Sequence, residues 1–175
     1  MTDKEKFERL VHPTPMFKIF EQTQEKIQIV AKHLMEGYLN VSDEHRNYDI
    51  IHYIIQSYIK NPFTLMYEIG DCAGLLGFTD ISPKHKTNVF LKIFNKDIWG
   101  KTVVREGQKV LDLIVETFEL KRLSTQSADP IVVKMCKQFF GFEIEGRKRQ
   151  DFSWDGELYD NYILGRVTPE KIEEE

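Results

Sequence analysis

The stretch from Gly141 to Asp160 leaves this chain few alternatives. Gly141 follows the apolar pair Phe139 and Phe140, where a helix ending in a left-handed residue takes glycine. Residues 143–149 then read as a strand, Asp155 and Gly156 as a turn, and residues 157–166 as the return strand. An Asp-Gly pair fits a two-residue type I′ turn because both of its central positions require positive φ. A helix stop feeding a long hairpin near the C-terminus excludes an all-helical bundle and demands a sheet for the hairpin to join.

Upstream, Ile27, Val30, Ala31, Leu34, Met35 and Tyr38 fall at helical spacing and form one apolar stripe. A second helix, expected to start after the capping pair Ser42 and Asp43, would bury Ile51, Ile54, Ile55, Tyr58 and Ile59 before Asn61 and Pro62 stop it. Strands are expected over residues 64–68 and 72–81, with a turn at Gly70 and Asp71, and over Val89–Phe94, a nearly continuous apolar run that reads as covered on both faces. A third helix spans residues 102–118, a short strand 123–126, and a fourth helix opens on Asp129 as cap with Pro130 at its first position. A short extended piece near residues 7–11 precedes all of these. The order β, α, α, three strands, α, β, α, two strands implies a mixed α+β domain with helices packed on a sheet.

At 175 residues, 41% apolar and 12% aromatic, the chain suits one domain with a single core, expected over residues 1–167. Residues 168–175 read as a charged tail. A net charge of −4 gives no basic footprint for nucleic acid. No apolar run approaches the about 20 residues of a membrane span. Cys72 and Cys136 lack metal-site spacing, the five histidines form no ligand set, and a reduced cytoplasmic protein without metal is the expectation.

The hairpin wording resembles that of the GNAT acetyltransferases, in particular the branch with the ribosomal-protein-alanine and spermidine N-acetyltransferases. The likeness covers roughly residues 63–167. A second stretch, Asn95 through Trp99, Gly100, Lys101 and Thr102, is similar to the family's pyrophosphate loop between a buried strand and a helix. The resemblance implies a twisted, mostly antiparallel sheet of about seven strands flanked by four helices. It also implies an acetyl-coenzyme A-dependent N-acetyltransferase in which a primary amine (a protein N-terminus, a lysine or a polyamine) attacks the thioester directly. The resemblance puts the cosubstrate's phosphates at Trp99, Gly100, Lys101, Thr102, Val103, Val104 and Arg105. Amides at a helix start and the helix dipole favour such an anion. It pairs Leu91–Asn95 with the pantetheine arm and puts the acetyl carbonyl at backbone amides near Ile93 and Phe94.

Departures are as informative. The family's glycine is Thr102 here and its small residue Val104; Val89, Pro130 and Lys137 replace its usual strand glutamate, helix asparagine and helix tyrosine. Four residues remain as catalytic candidates: Lys137, a hydrogen-bond donor to the thiolate or a solvent-facing residue; Tyr159, an alternative hydroxyl alongside Tyr162; and Glu68 and Asp80, carboxylates able to activate an amine through water. The resemblance places the acceptor among Glu36, Tyr38, Tyr48, Trp154 and Asp155, whose acidic and aromatic groups suit an ammonium. The replaced residues leave a second class open: a GNAT-fold protein without catalysis that binds coenzyme A or a protein partner. Exposed strand edges invite pairing into a homodimer.

Overall fold

A computed structural model describes residues 8–168. Its elements are β1 (Phe17–Ile19), α1 (Gln24–Glu36), α2 (Tyr48–Lys60), β2 (Leu65–Ile69), β3 (Gly74–Ser82), β4 (Lys86–Ile93), α3 (Lys101–Phe118), β5 (Arg122–Ser127), α4 (Pro130–Phe139), β6 (Glu143–Trp154) and β7 (Glu157–Val167). The seven strands form one sheet in the order β1-β2-β3-β4-β5-β7-β6, and every neighbouring pair is antiparallel except β4 with β5. The expected α+β order is therefore the observed one. The exception lies at the start: residues 8–11 are helical, and the first strand follows Pro13 and Pro15 instead of preceding them. Burial decides this, since Phe17 in β1 is 2% exposed and packs into the main core.

Local chemistry sets the boundaries. Thr23 caps α1 by accepting from Lys26 N at 3.2 Å, and Asp129 caps α4 by accepting from Ile131 N at 2.8 Å, with Pro130 at the first helical position. The cap of α2 is Asn47, whose Oδ1 accepts from Asp49 N at 2.9 Å, and not the pair Ser42 and Asp43; these sit at a 3-10 turn spanning Asp43–His45. At the last hairpin Asp155 and Gly156 have φ of 53° and 77°, and Gly141 has 71°, as the turn and helix stop require. Of the tail expected at residues 168–175, all beyond Thr168 lies outside the described residues.

Two cores flank the sheet. Helices α3 and α4 cover one face through Val103, Val110, Ile114, Val132 and Cys136, packed on Tyr67, Phe78 and Leu123. Helices α1 and α2 cover the other through Ile27, Val30, Ile51 and Ile55, packed on Met66 and Leu75. Gly107 of α3 faces Phe17 and Phe140, and a Cβ there would meet each at 3.4 Å, an ordinary contact.

Candidate active site

The sheet is not continuous. Parallel pairing of β4 with β5 is confined to Lys86 with Arg122, Thr87 with Leu123 and Asn88 with Ser124. Past that point Val89–Ile93 and Thr125–Ser127 have no ladder between them, and β5 goes on pairing with β7. Val89 and Thr125 line cavities on both faces, so the gap passes through the sheet. This corrects the expectation that the apolar run in β4 is fully covered. Phe90, Leu91, Lys92 and Ile93 are half-buried because β5 has moved away.

The direction of the β4 amides follows from the ladders. Phe20 N donates to Met66 O, so the alternation across β2 and β3 aims residues 88, 90 and 92 at β3. The N–H groups of Val89, Leu91 and Ile93 therefore point into the gap. Phe94 N and Asn95 N both donate to Ala73 O at 2.9 Å and are consumed. Of the amides expected to hold a carbonyl, Ile93 faces the gap and Phe94 does not; the amide of Leu91 faces the gap as Ile93 does. No side-chain signal marks Leu91, but two-residue alternation from Ile93 would have found it.

On the α3–α4 side the gap opens into a narrow apolar channel lined by Leu91, Trp99, Val103, Leu111, Cys136 and Phe140. Burial pushes the Cys136 thiol up to about 12. Trp99 Nε1 is buried without a hydrogen-bond partner. Next to it lies the start of α3, which has no side-chain cap and no acidic residue in its first turn; the first amide bonded within the helix is Val104 N, to Gly100 O at 3.2 Å. The amides of residues 101–103 have no partner within the helix, and Lys101 and Arg105 line the same surface depression as Trp99 and Gly100. Side chains of Thr102 and Lys101 are exposed, Val104 is half-buried and Val103 belongs to the core, so the threonine leaves the helix end open. The apolar lining, an indole N–H without a partner among the described residues and the uncapped helix start match the chemistry of an acyl-pantetheine arm with a pyrophosphate; the channel itself, about 20 Å³, must widen to admit the arm.

On the α1–α2 side lies a wider cleft of about 550 Å³ whose charged lining residues are Asp80, Lys92 and Lys148. Asp80 sits at an irregularity of β3 with φ of 54° and accepts from Asn88 Nδ2 at 3.0 Å. Lys92 extends to Asn40 O, and burial lowers its ammonium to about 8, opposed in part by the charge of Asp129. Lys92 was not singled out in the sequence; the signal was one lysine inside an apolar run.

The remaining candidates fall elsewhere. Glu68 is 4% exposed and held by Lys26 Nζ at 2.8 and 2.9 Å; the carboxylate in turn holds the Lys26 ammonium well above its usual value. Lys137 is exposed on α4, in a depression shared with Pro130 and Tyr162, and lines neither the channel nor the cleft. Tyr159 donates to Glu157 Oε2 at 3.0 Å near the tip of the last hairpin, and that bond raises its hydroxyl to about 12. Of the expected acceptor residues, Tyr38, Trp154 and Asp155 come together. The Tyr38 ring meets Trp154 at 4.9 Å and Tyr159 at 6.2 Å, while Asp43 accepts from Asp155 N and Gly156 N, each at 3.0 Å. Arg46 lies 5.6 Å over Trp154 and 3.7 Å from Asp155. These contacts tie the α1–α2 connection to the hairpin tip. Tyr48 instead stacks on His52, and Glu36 is exposed at the end of α1. No cluster among the described residues could hold a metal ion, and no described helix is long and apolar enough to cross a membrane.

No protein-family model matches the sequence, and no curated protein matches it by sequence. In structure the chain is similar to an acetyltransferase from Salmonella typhimurium that modifies the N-terminal serine of a 50S ribosomal subunit protein, with TM-score 0.68 and 13% identity over 91% of this chain and 99% of that one. It is similar to the spermidine N-acetyltransferase of Vibrio cholerae in complex with coenzyme A and spermine, with TM-score 0.66 and 14% identity over 88% and 96% of the two chains. A ribosomal-protein-alanine acetyltransferase from Vibrio fischeri gives 0.63, 13%, 90% and 96%. At these identities the likeness establishes the fold, which is the GNAT acetyltransferase fold.

Proposed function

We propose that the chain is an acetyl-coenzyme A-dependent N-acetyltransferase acting on a primary amine. The observation that carries this is the gap through the sheet, with an anion-ready helix end and apolar channel on one side and a polar cleft on the other. Two solved neighbours carry coenzyme A, and those with named acceptors act on a protein N-terminus or spermidine. In this reading the outward amides of residues 101–103, Lys101 and Arg105 hold the pyrophosphate, and Trp99 Nε1 gains a partner from the arm in the channel.

The amine attacks the thioester carbonyl from the cleft. A carbon–nitrogen bond forms, charge developing on the carbonyl oxygen is received by the amides of Leu91 and Ile93, and the carbon–sulfur bond breaks as coenzyme A leaves, its thiolate taking the second amine proton. Asp80, the one carboxylate lining the cleft among the described residues, takes the ammonium proton through water. Burial of Glu68 in its pair with Lys26 leaves it no access to that proton.

Calorimetric titration of the protein with acetyl-coenzyme A tests the reading. Micromolar affinity, about −8 kcal/mol, is expected. Lys101→Glu should weaken it at least tenfold with thermal stability unchanged, because Lys101 is exposed. No binding at millimolar ligand overturns the proposal. Binding without transfer to any amine would leave a coenzyme A-binding protein.

A further inference from the structure

The acceptor cleft carries an excess of cations, which is the reverse of what a polyamine requires. Lys148 has Asp151 at 3.7 Å, and Asp80 is engaged by Asn88 at 3.0 Å. Lys92 has no carboxylate partner among the described residues; its ammonium donates to a backbone carbonyl, Asn40 O. Alternation along β4 sets it on the acceptor face between Leu91 and Ile93, whose amides face the gap. Its backbone thus adjoins the gap-facing amides, and its ammonium reaches from there to the α1–α2 connection at Asn40.

Resting on the transferase reading above, we propose that the acceptor is a primary amine that also bears a carboxylate, and that Lys92 is the residue that reads the carboxylate. The amine then faces the gap while its anion is paired with Lys92, and a polycation meets the Lys92 ammonium unfavourably. Burial depresses the Lys92 ammonium to about 8 when no anion is present. An incoming carboxylate favours the charged form, so binding near that pH takes up a proton. Asp129 at the head of α4 opposes this shift, and Tyr58, Asp80 and Lys148 are the other titratable groups lining the cleft. His33 of α1 stacks on Phe94 at 5.0 Å, just beyond the end of β4.

The test uses the whole chain with acetyl-coenzyme A and four amines: the C-terminally amidated peptide Ser-Glu-Glu-Ala-Ala-Ala, its amidated Ser-Gln-Gln counterpart, free glutamate and spermidine. The acidic peptide should exceed the Gln peptide and spermidine at least tenfold in kcat/KM. Lys92→Met should remove that preference and Lys92→Arg keep it. Glutamate turned over as well as the acidic peptide would place the carboxylate on a small molecule and support the same chemistry. Equal use of the Gln peptide or spermidine, or a preference unchanged in Lys92→Met, overturns the proposal. Calorimetry of the acidic peptide at pH 8, in two buffers of different protonation enthalpy, separates the two readings. Proton uptake that disappears in Lys92→Met, without transfer to any amine, keeps the anion site and discards the transferase. No uptake overturns the anion site even if acetyl transfer is found.

Discussion

On the α3–α4 side of the gap the side chains of Val89 and Leu91 join Trp99, Val103 and Phe140 in an apolar channel; on the α1–α2 side Asn88 and Lys92 join Asp80 and Lys148 in a polar cleft. One strand, β4, supplies both sets, because successive side chains point to opposite faces. The separation needs no loop or inserted element. It also explains why the backbone matters more than any side chain at the boundary between the two sides: the amides of Leu91 and Ile93 are the groups that both faces share.

The severest test of this division is Leu91→Pro. Its N–H points away from β3, so proline removes a donor to the gap without removing a rung of the β3–β4 ladder. Turnover should fall by about a hundredfold or more, roughly 3 kcal/mol, with coenzyme A affinity retained. Full activity would show that the edge of β4 is not the reacting surface.

Next in size is Lys26→Met. It strands the Glu68 carboxylate, 4% exposed, without its counter-ion, and urea denaturation should show a loss of about 3 kcal/mol. A loss below 1 kcal/mol would mean that Glu68 is solvated and able to serve the cleft after all.

Lys92→Met should have the opposite sign. With a folded value near 8 against an ordinary 10.5, the unfolded chain binds more protons between those pH values, so the wild type gains stability as pH rises through that window. The variant lacks this cost and should be more stable by about 1–3 kcal/mol at pH 7, with the advantage fading between pH 8 and 10.5. Constant stability across that window in the wild type would remove Lys92 from the buried side of the comparison.

The smallest effect is expected at the hairpin. The amides of Gly156 and Asp155 hold the Asp43 carboxyl below its usual range, so this tie is present above that depressed value and is lost as pH falls through it. In Asp43→Ala hydrogen exchange at the amides of residues 155 and 156 should quicken at neutral pH, with the two faces of the gap unaffected. Altered coenzyme A affinity in this variant would couple the hairpin to the channel.

What could be read from the sequence was what local rules control. Gly141, Asp155 with Gly156, and Asp129 with Pro130 each stand where a backbone angle or cap demands them, and each marks the boundary it promised. Ser42 and Asp43 obey the same capping rule on paper, yet tertiary structure assigns the Asp43 carboxylate to another segment 112 residues away and leaves the cap to Asn47. The apolar run in β4 looked fully covered because periodicity reports neighbours within a segment and is blind to a partner strand that diverges. That blindness hid Lys92, which resembled an interruption in a core strand. It also made Glu68 and Asp80 look equivalent, although one is locked to α1 and the other faces the cleft.

Three residue pairs alone join β4 to β5, the last of them Asn88 with Ser124. In mechanical terms the molecule is a plate with a notch, and Asn88 and Ser124 stand at its tip, where any load that spreads the two halves is concentrated. A small side-chain change there is magnified along the diverging strands into a larger change in aperture, as a short displacement near a pivot swings the far end of a lever. A guest bonded to both margins would act as a stitch across the notch, stiffening the plate where it is weakest.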